Sequence, residues 1–124
     1  MASMSVENMA FAMPGGESCG QSRGRPVDLT HLARQTMGDR DLEREVLALF
    51  LNQARIVGDR MDAATLPERV MLAHGLKGSA RSIGAFRVAD IADAVELDPA
   101  RNDNLQSLAE ALADVRDFVS SIMR

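Results

Sequence analysis

Apolar residues recur at three- and four-residue intervals from Leu42 to Ile122, and no run alternates with period two. That spacing places side chains on one face of a helix and is incompatible with half-buried strands, so the chain can bury its apolar surface only as packed helices. Local signals divide the pattern. Asp28 is positioned to cap a short helix carrying Leu29, Leu32 and Met37, with Gly38 as its stop. Asp39 opens a longer helix whose stripe reads Leu42, Val46, Leu49, Phe50, Gln53 and Val57. The run Thr65-Leu66-Pro67-Glu68 has the form of a capping box with proline in the first turn, so a third helix begins there and Gly84 ends it. A fourth helix turns Val88, Ile91, Ala92 and Val95 inward and stops before Pro99. The last opens near Asp103, paired with Gln106 in a second capping-box-like spacing, and carries Leu105, Leu108, Leu112, Val115, Val119 and Ile122. The fold class expected is all-α, a bundle with short connections.

A chain of 124 residues is one domain by size, able to bury about two-thirds of its unfolded surface without a metal or disulfide. Residues 1–26, rich in Gly, Ser and Met and without sustained periodicity, read as a flexible leader, and residues 27–124 as the helical domain. Cys19 has no partner cysteine, which fits a reducing cytoplasm and rules out a disulfide framework. The five-residue apolar run Met9–Met13 is too short for a signal sequence, and no stretch approaches a membrane span. The net charge of −4 argues against a general nucleic-acid binder. Charge is unevenly spread: Arg69 to Arg87 holds four basic residues and no acid, whereas Asp90 to Asp117 holds eight acids against Arg101 and Arg116. The basic stretch is where a phosphate or an acidic partner would be drawn.

Within that stretch, advancing about 100° per residue puts Leu72, Leu76 and Ile83 opposite His74. Pro67, Val70, Met71, Lys77, Gly78 and Arg81 fall on the same side as His74, so the imidazole is expected in solvent beside an ammonium one turn along. Gly75 and Gly78 each cost about 1 kcal/mol relative to alanine in mid-helix, and Gly78 bares the backbone where another molecule would approach the ring. Lys77 is the one lysine in a chain with thirteen arginines, which suggests a need for a compact ammonium on a flexible stem. Val70 and Met71 add apolar surface suited to a transient interface. Each residue alone has an ordinary reading as a solvated side chain, or as a glycine easing helix crossing. Their conjunction on one stripe favours a reactive site. The other histidine, His31, has no ligand-type companions and reads as a surface or capping residue, and no inward Glu-x-x-His pair marks a metal-binding bundle.

The stretch His74-Gly-Leu-Lys-Gly-Ser-Ala-Arg-Ser-Ile-Gly-Ala85 resembles the signature of histidine-containing phosphotransfer (HPt) domains, and residues 27–54 are similar to that family's first two helices. The resemblance implies an antiparallel four-helix bundle with an additional short N-terminal helix. It implies His74 as phosphoacceptor through Nε2, Lys77 as the charge beside the phosphoryl group, Gly78 as the opening for the partner, and Glu96 as an acceptor orienting the histidine. Ser79 and Ala80 read as small packing residues, and Arg81 departs from the smaller or uncharged residue common at its position. The implied partners are receiver domains of response regulators or a hybrid histidine kinase, bound through Pro67, Val70, Met71 and Arg81 by a monomeric chain. No cofactor is implied in this chain, the catalytic apparatus and its Mg²⁺ belonging to the receiver.

Direct use of ATP is poorly supported, since no phosphate-binding glycine loop or nucleotide fingerprint is present. A sensor-kinase dimerisation helix pair also displays a histidine, but an acidic residue usually follows it, whereas Gly75, Leu76 and Lys77 follow here. A helical adaptor using Val70 and Met71 without phosphate is the alternative from a different class; phosphate lability separates the two.

Overall fold

The computed structural model describes residues 25–123, folded as five helices with no strand among them. The leader expected over residues 1–26, with Cys19, lies almost wholly outside the described residues.

Helix α1 (Leu29–Gln35) is capped by Asp28, whose carboxylate accepts from the His31 amide at 3.1 Å. It stops earlier than the sequence suggests. Met37 and Gly38 both take positive φ, and Met37 is left 89% exposed, so it contributes nothing to the core. Thr36 is buried in its place, its hydroxyl donating to the Leu32 carbonyl at 2.9 Å. Helix α2 (Arg40–Met61) is capped by Asp39 as expected, but its apolar stripe is rotated. Leu47, Phe50, Ala54, Val57 and Met61 are buried, whereas Leu49 is 70% exposed and Leu42 also stands at the surface. The 3-4-3-4 spacing of the buried set is the helical repeat; Ala54 and Leu47 belong to it, and the more conspicuous leucines do not.

Helix α3 (Leu66–Ile83) begins at a complete capping box. The Thr65 hydroxyl accepts from the Glu68 amide and the Glu68 carboxylate accepts from the Thr65 amide at 2.8 Å. It ends at Gly84, where φ is +89°. Helix α4 (Phe86–Leu97) buries Val88, Ala89, Ala92 and Val95, with Ile91 half-buried. Helix α5 (Asn102–Ile122) buries Leu105, Leu108, Ala111, Leu112, Val115 and Val119, while Ile122 is exposed. The Asp103–Gln106 capping box is not formed: the cap residue is Arg101, with no side-chain hydrogen bond, and Asp103 already lies inside the first turn, where its side chain cannot act as a cap.

Consecutive helices from α2 to α5 pack on one another, α5 returns against α2, and α1 lies on α3. This is an antiparallel four-helix bundle with one short additional helix. The most extensive pairing is α3 with α4, joined by Gly84 and Ala85. The Asp28 amide donates to the Gly84 carbonyl at 2.9 Å, which ties the entry of α1 to that turn and buries Val27 beneath it. His31 is half-buried edge-on against Phe86 at 5.1 Å between ring centroids, a packing role rather than a chemical one. Arg69 fastens the other end of α3, donating to the carbonyls of Met61, Asp62 and Pro99 at 2.9 to 3.1 Å. No described helix is long and apolar enough to cross a membrane.

Candidate functional site

The buried face of α3 is formed by Ala73, Leu76, Ala80 and Ile83, which turns His74 outward with 70% of its side chain exposed. Leu72, expected in that face, is half-buried. Because α4 runs antiparallel to α3, ascending positions on one meet descending positions on the other. His74 faces Glu96, and Lys77 faces Asp93.

His74 Nδ1 lies 2.9 Å from Glu96 Oε2. A carboxylate can only accept, and the Lys77 ammonium followed by the His74 contact holds the Glu96 carboxyl below the usual carboxylate range, so it is ionised near neutral pH. The proton in that contact therefore belongs to Nδ1. In the neutral ring, Nε2 is left with its lone pair and has no partner among the described residues.

Lys77 departs from the expected free ammonium: only 15% of its side chain is exposed. Its Nζ donates to Asp93 Oδ1 at 3.1 Å and lies 2.7 Å from Glu96 Oε1. The second contact is a close ion pair without hydrogen-bond direction, and Oε1 is otherwise buried with no hydrogen-bond partner. Glu96, then Asp93, raise the lysine's affinity for its proton. The wheel places Lys77 at the edge of the His74 face, and α4 lies along that edge. Glu96 thus bridges imidazole and ammonium, one oxygen to each.

Two of the other three basic residues in the stretch are also committed. Arg69 is spent on backbone carbonyls, and Arg87 pairs with Asp114 at 3.2 Å. Arg81 alone of the four basic residues from 69 to 87 makes neither an ion pair nor a side-chain hydrogen bond among the described residues, and it is exposed. Of the positive stretch read along the chain, Lys77 and Arg87 are therefore neutralised by carboxylates across helices.

Neither mid-helix glycine is required by packing. A Cβ on Gly78 would meet nothing within 4 Å, and one on Gly75 would make an ordinary 3.7 Å contact with the Gln53 amide. Both face outward beside His74. Around them, Pro67 is exposed, Met71 is 75% exposed and Val70 is half-buried. A shallow groove lined by Ala63, Ala64, Glu68 and Leu72 adjoins Met71. Ser79 is half-buried and donates back to the Gly75 carbonyl at 3.2 Å, while Ala80 is fully buried.

Sequence reasoning missed two residues here. Asp93 lies one turn before Glu96 on α4, and that three-residue carboxylate spacing opposite the chain's one lysine was the available signal. Leu97, 80% exposed beside Glu96, extends the apolar surface. Among the described residues no three His, Cys, Asp or Glu side chains form a metal-binding group.

Comparison with known proteins bears on this arrangement directly. No curated protein matches the chain. Among solved structures, the histidine phosphotransferase ShpA from Caulobacter crescentus is similar, with a TM-score of 0.64 and 28% identity over 79% of this chain and 94% of that one. The Hpt domain family matches over residues 45–122, which include α3, α4 and the His74–Glu96–Lys77 cluster they bring together. With the helical bundle, the outward histidine and this match in agreement, the chain belongs to the Hpt domain family of phosphorelay intermediates.

Proposed function

We propose that the chain takes a phosphoryl group from the aspartyl phosphate of one receiver domain onto His74 Nε2 and passes it to a second receiver. The contact that carries this reading is His74 Nδ1 to Glu96 Oε2 at 2.9 Å, because it leaves the lone pair on the exposed side of the ring. The Nε2 lone pair attacks phosphorus, and the P–O bond to the receiver's aspartate breaks with its electron pair on the departing carboxylate. The ring then bears phosphorus on Nε2 and the proton on Nδ1, and its positive charge faces the Glu96 carboxylate. Attack by a second receiver's aspartate reverses the sequence.

Lys77 offers positive charge to the phosphoryl oxygens. Gly78 leaves the approach clear, and Pro67, Val70, Met71 and Leu97 provide the apolar contact against which a receiver docks, with Arg81 free for its carboxylates. This chain acts as a carrier: it supplies nucleophile and orientation, and the receiver supplies the metal-assisted chemistry.

Incubation with a phosphorylated receiver tests the reading. Acid-labile, base-stable label is expected on His74 and should be absent from His74→Gln. Label retained by that variant overturns the assignment, and receiver binding by wild type without any transfer supports the adaptor instead.

A further inference from the structure

Lys77 carries a single positive charge, and more than one anion claims it. In the resting site it already holds two carboxylates, Asp93 at 3.1 Å and Glu96 at 2.7 Å, and its directed hydrogen bond goes to Asp93. Glu96 is occupied on its other oxygen by His74, so its position is set by the histidine it orients. Asp93 contacts neither His74 nor any other cation among the described residues, and 43% of its side chain is exposed. Counting one cation against two anions, the cluster is already net negative before a phosphoryl group of charge near −2 arrives on Nε2.

We propose that Asp93 is a positioning residue that competes with the phosphoryl group for Lys77 and so sets how readily His74 gives that group up. This rests on His74 being the phosphoacceptor. With Asp93 ionised, the phosphorylated state gains only a share of the ammonium and faces an extra negative charge across it. Both effects raise the transfer potential of the phosphohistidine. Without that charge, Glu96 is the one carboxylate still held by Lys77, a larger share of the ammonium turns to the phosphoryl oxygens and the group is held longer. The carboxylate is partly solvated, so the effect is modest, about threefold in the phosphoryl-exchange equilibrium.

The full chain can be tested without a receiver by using phosphoramidate. Nε2 attacks its phosphorus, the P–N bond breaks and ammonia leaves with its proton, and added ammonia drives the reverse step. ¹⁵N-labelled wild type and unlabelled Asp93→Asn are equilibrated in one phosphoramidate–ammonia mixture. Intact mass measured at neutral to basic pH then gives phosphorylated-to-free ratios for both chains against the same donor pool. Asp93→Asn, which keeps an acceptor for Lys77 but removes the charge, is expected to show the higher ratio, by about threefold, with the difference shrinking as salt is added. Asp93→Ala is expected to shift the same way.

Equal ratios, or a lower ratio in Asp93→Asn, overturn the proposal. So does a loss confined to Asp93→Ala, because that is the behaviour of a residue that merely props Lys77 in place. If His74 takes no label in wild type while the chain is folded, the phosphoacceptor reading falls and the role of Asp93 falls with it. Label on wild-type His74 with no effect of Asp93→Asn sinks this inference alone.

Discussion

Gly78 offers a substitution for which stability and transfer should move in opposite directions. It sits in the fourth turn of α3 with open space where a Cβ would stand, so alanine meets no neighbour. Replacing a solvent-facing helical glycine by alanine is worth about 1 kcal/mol. For a domain of this size that is a rise in Tm of about 4–8 °C. Gly78→Leu should keep most of the gain, because leucine's helix propensity is close to alanine's, but its isobutyl group projects over the approach to His74. Overpacking at a fitted surface typically costs 1–3 kcal/mol, so receiver-dependent transfer should weaken by roughly tenfold. Phosphoramidate is small enough to reach Nε2 past the new side chain, and its labelling of His74 should be unchanged. Thermal melting by circular dichroism, alongside labelling from each donor, reads all three quantities. A lower Tm in Gly78→Ala would show that the glycine serves packing, and undiminished transfer from a receiver to Gly78→Leu would show that the approach does not cross it.

Two further outcomes follow from the geometry. Gly84→Ala forces a left-handed φ on a residue with a Cβ, at about 1–2 kcal/mol, and puts that Cβ 2.8 Å from the Asp28 carbonyl oxygen, so urea denaturation should show a loss of at least about 2 kcal/mol; a smaller loss would mean the α1 entry moves freely. The Glu96 carboxyl is held below its ordinary range, so its contribution to stability is complete above that range and is lost as pH falls through the lowered folded value. Lys77, raised above its ordinary value, contributes fully below that value and loses its contribution only as pH rises through the raised one. Acid unfolding below about pH 4 should therefore be shallower in Glu96→Gln than in wild type, and identical acid limbs would refute the pairing.

How far each part of the structure could be read from the chain depends on how local its cause is. The Thr65–Glu68 box, the Asp28 and Asp39 caps and the Gly84 stop each involve residues a few positions apart, and all four were legible. The stripe of α2 was not, because hydrophobicity alone ranks Leu49 above Ala54, whereas burial depends on which neighbour lies alongside and how closely it approaches. The second capping box failed for a related reason: Asp103 and Gln106 have the right spacing, but the helix begins one residue before Asp103. At the site, the wheel gave the direction of His74 correctly and that of Lys77 incompletely. Direction from one helix axis cannot show that α4 covers one edge of the stripe, nor that Asp93 waits there.

The two-residue turn between α3 and α4 bears on the order in which the molecule comes together. The contacts that join His74, Lys77, Asp93 and Glu96 span sequence separations from 16 to 22 residues, and all of them lie within one helical hairpin. Closing so short a loop carries a small entropic cost, and helix pairing of this kind belongs to the fastest events in folding. His74, Lys77, Asp93 and Glu96 therefore meet as soon as that hairpin forms, whereas α2 and α5 must still find each other across the length of the chain. Destabilising changes in the α2–α5 contact should then act mainly through the population of the folded bundle, leaving the reactivity of each folded molecule unaltered.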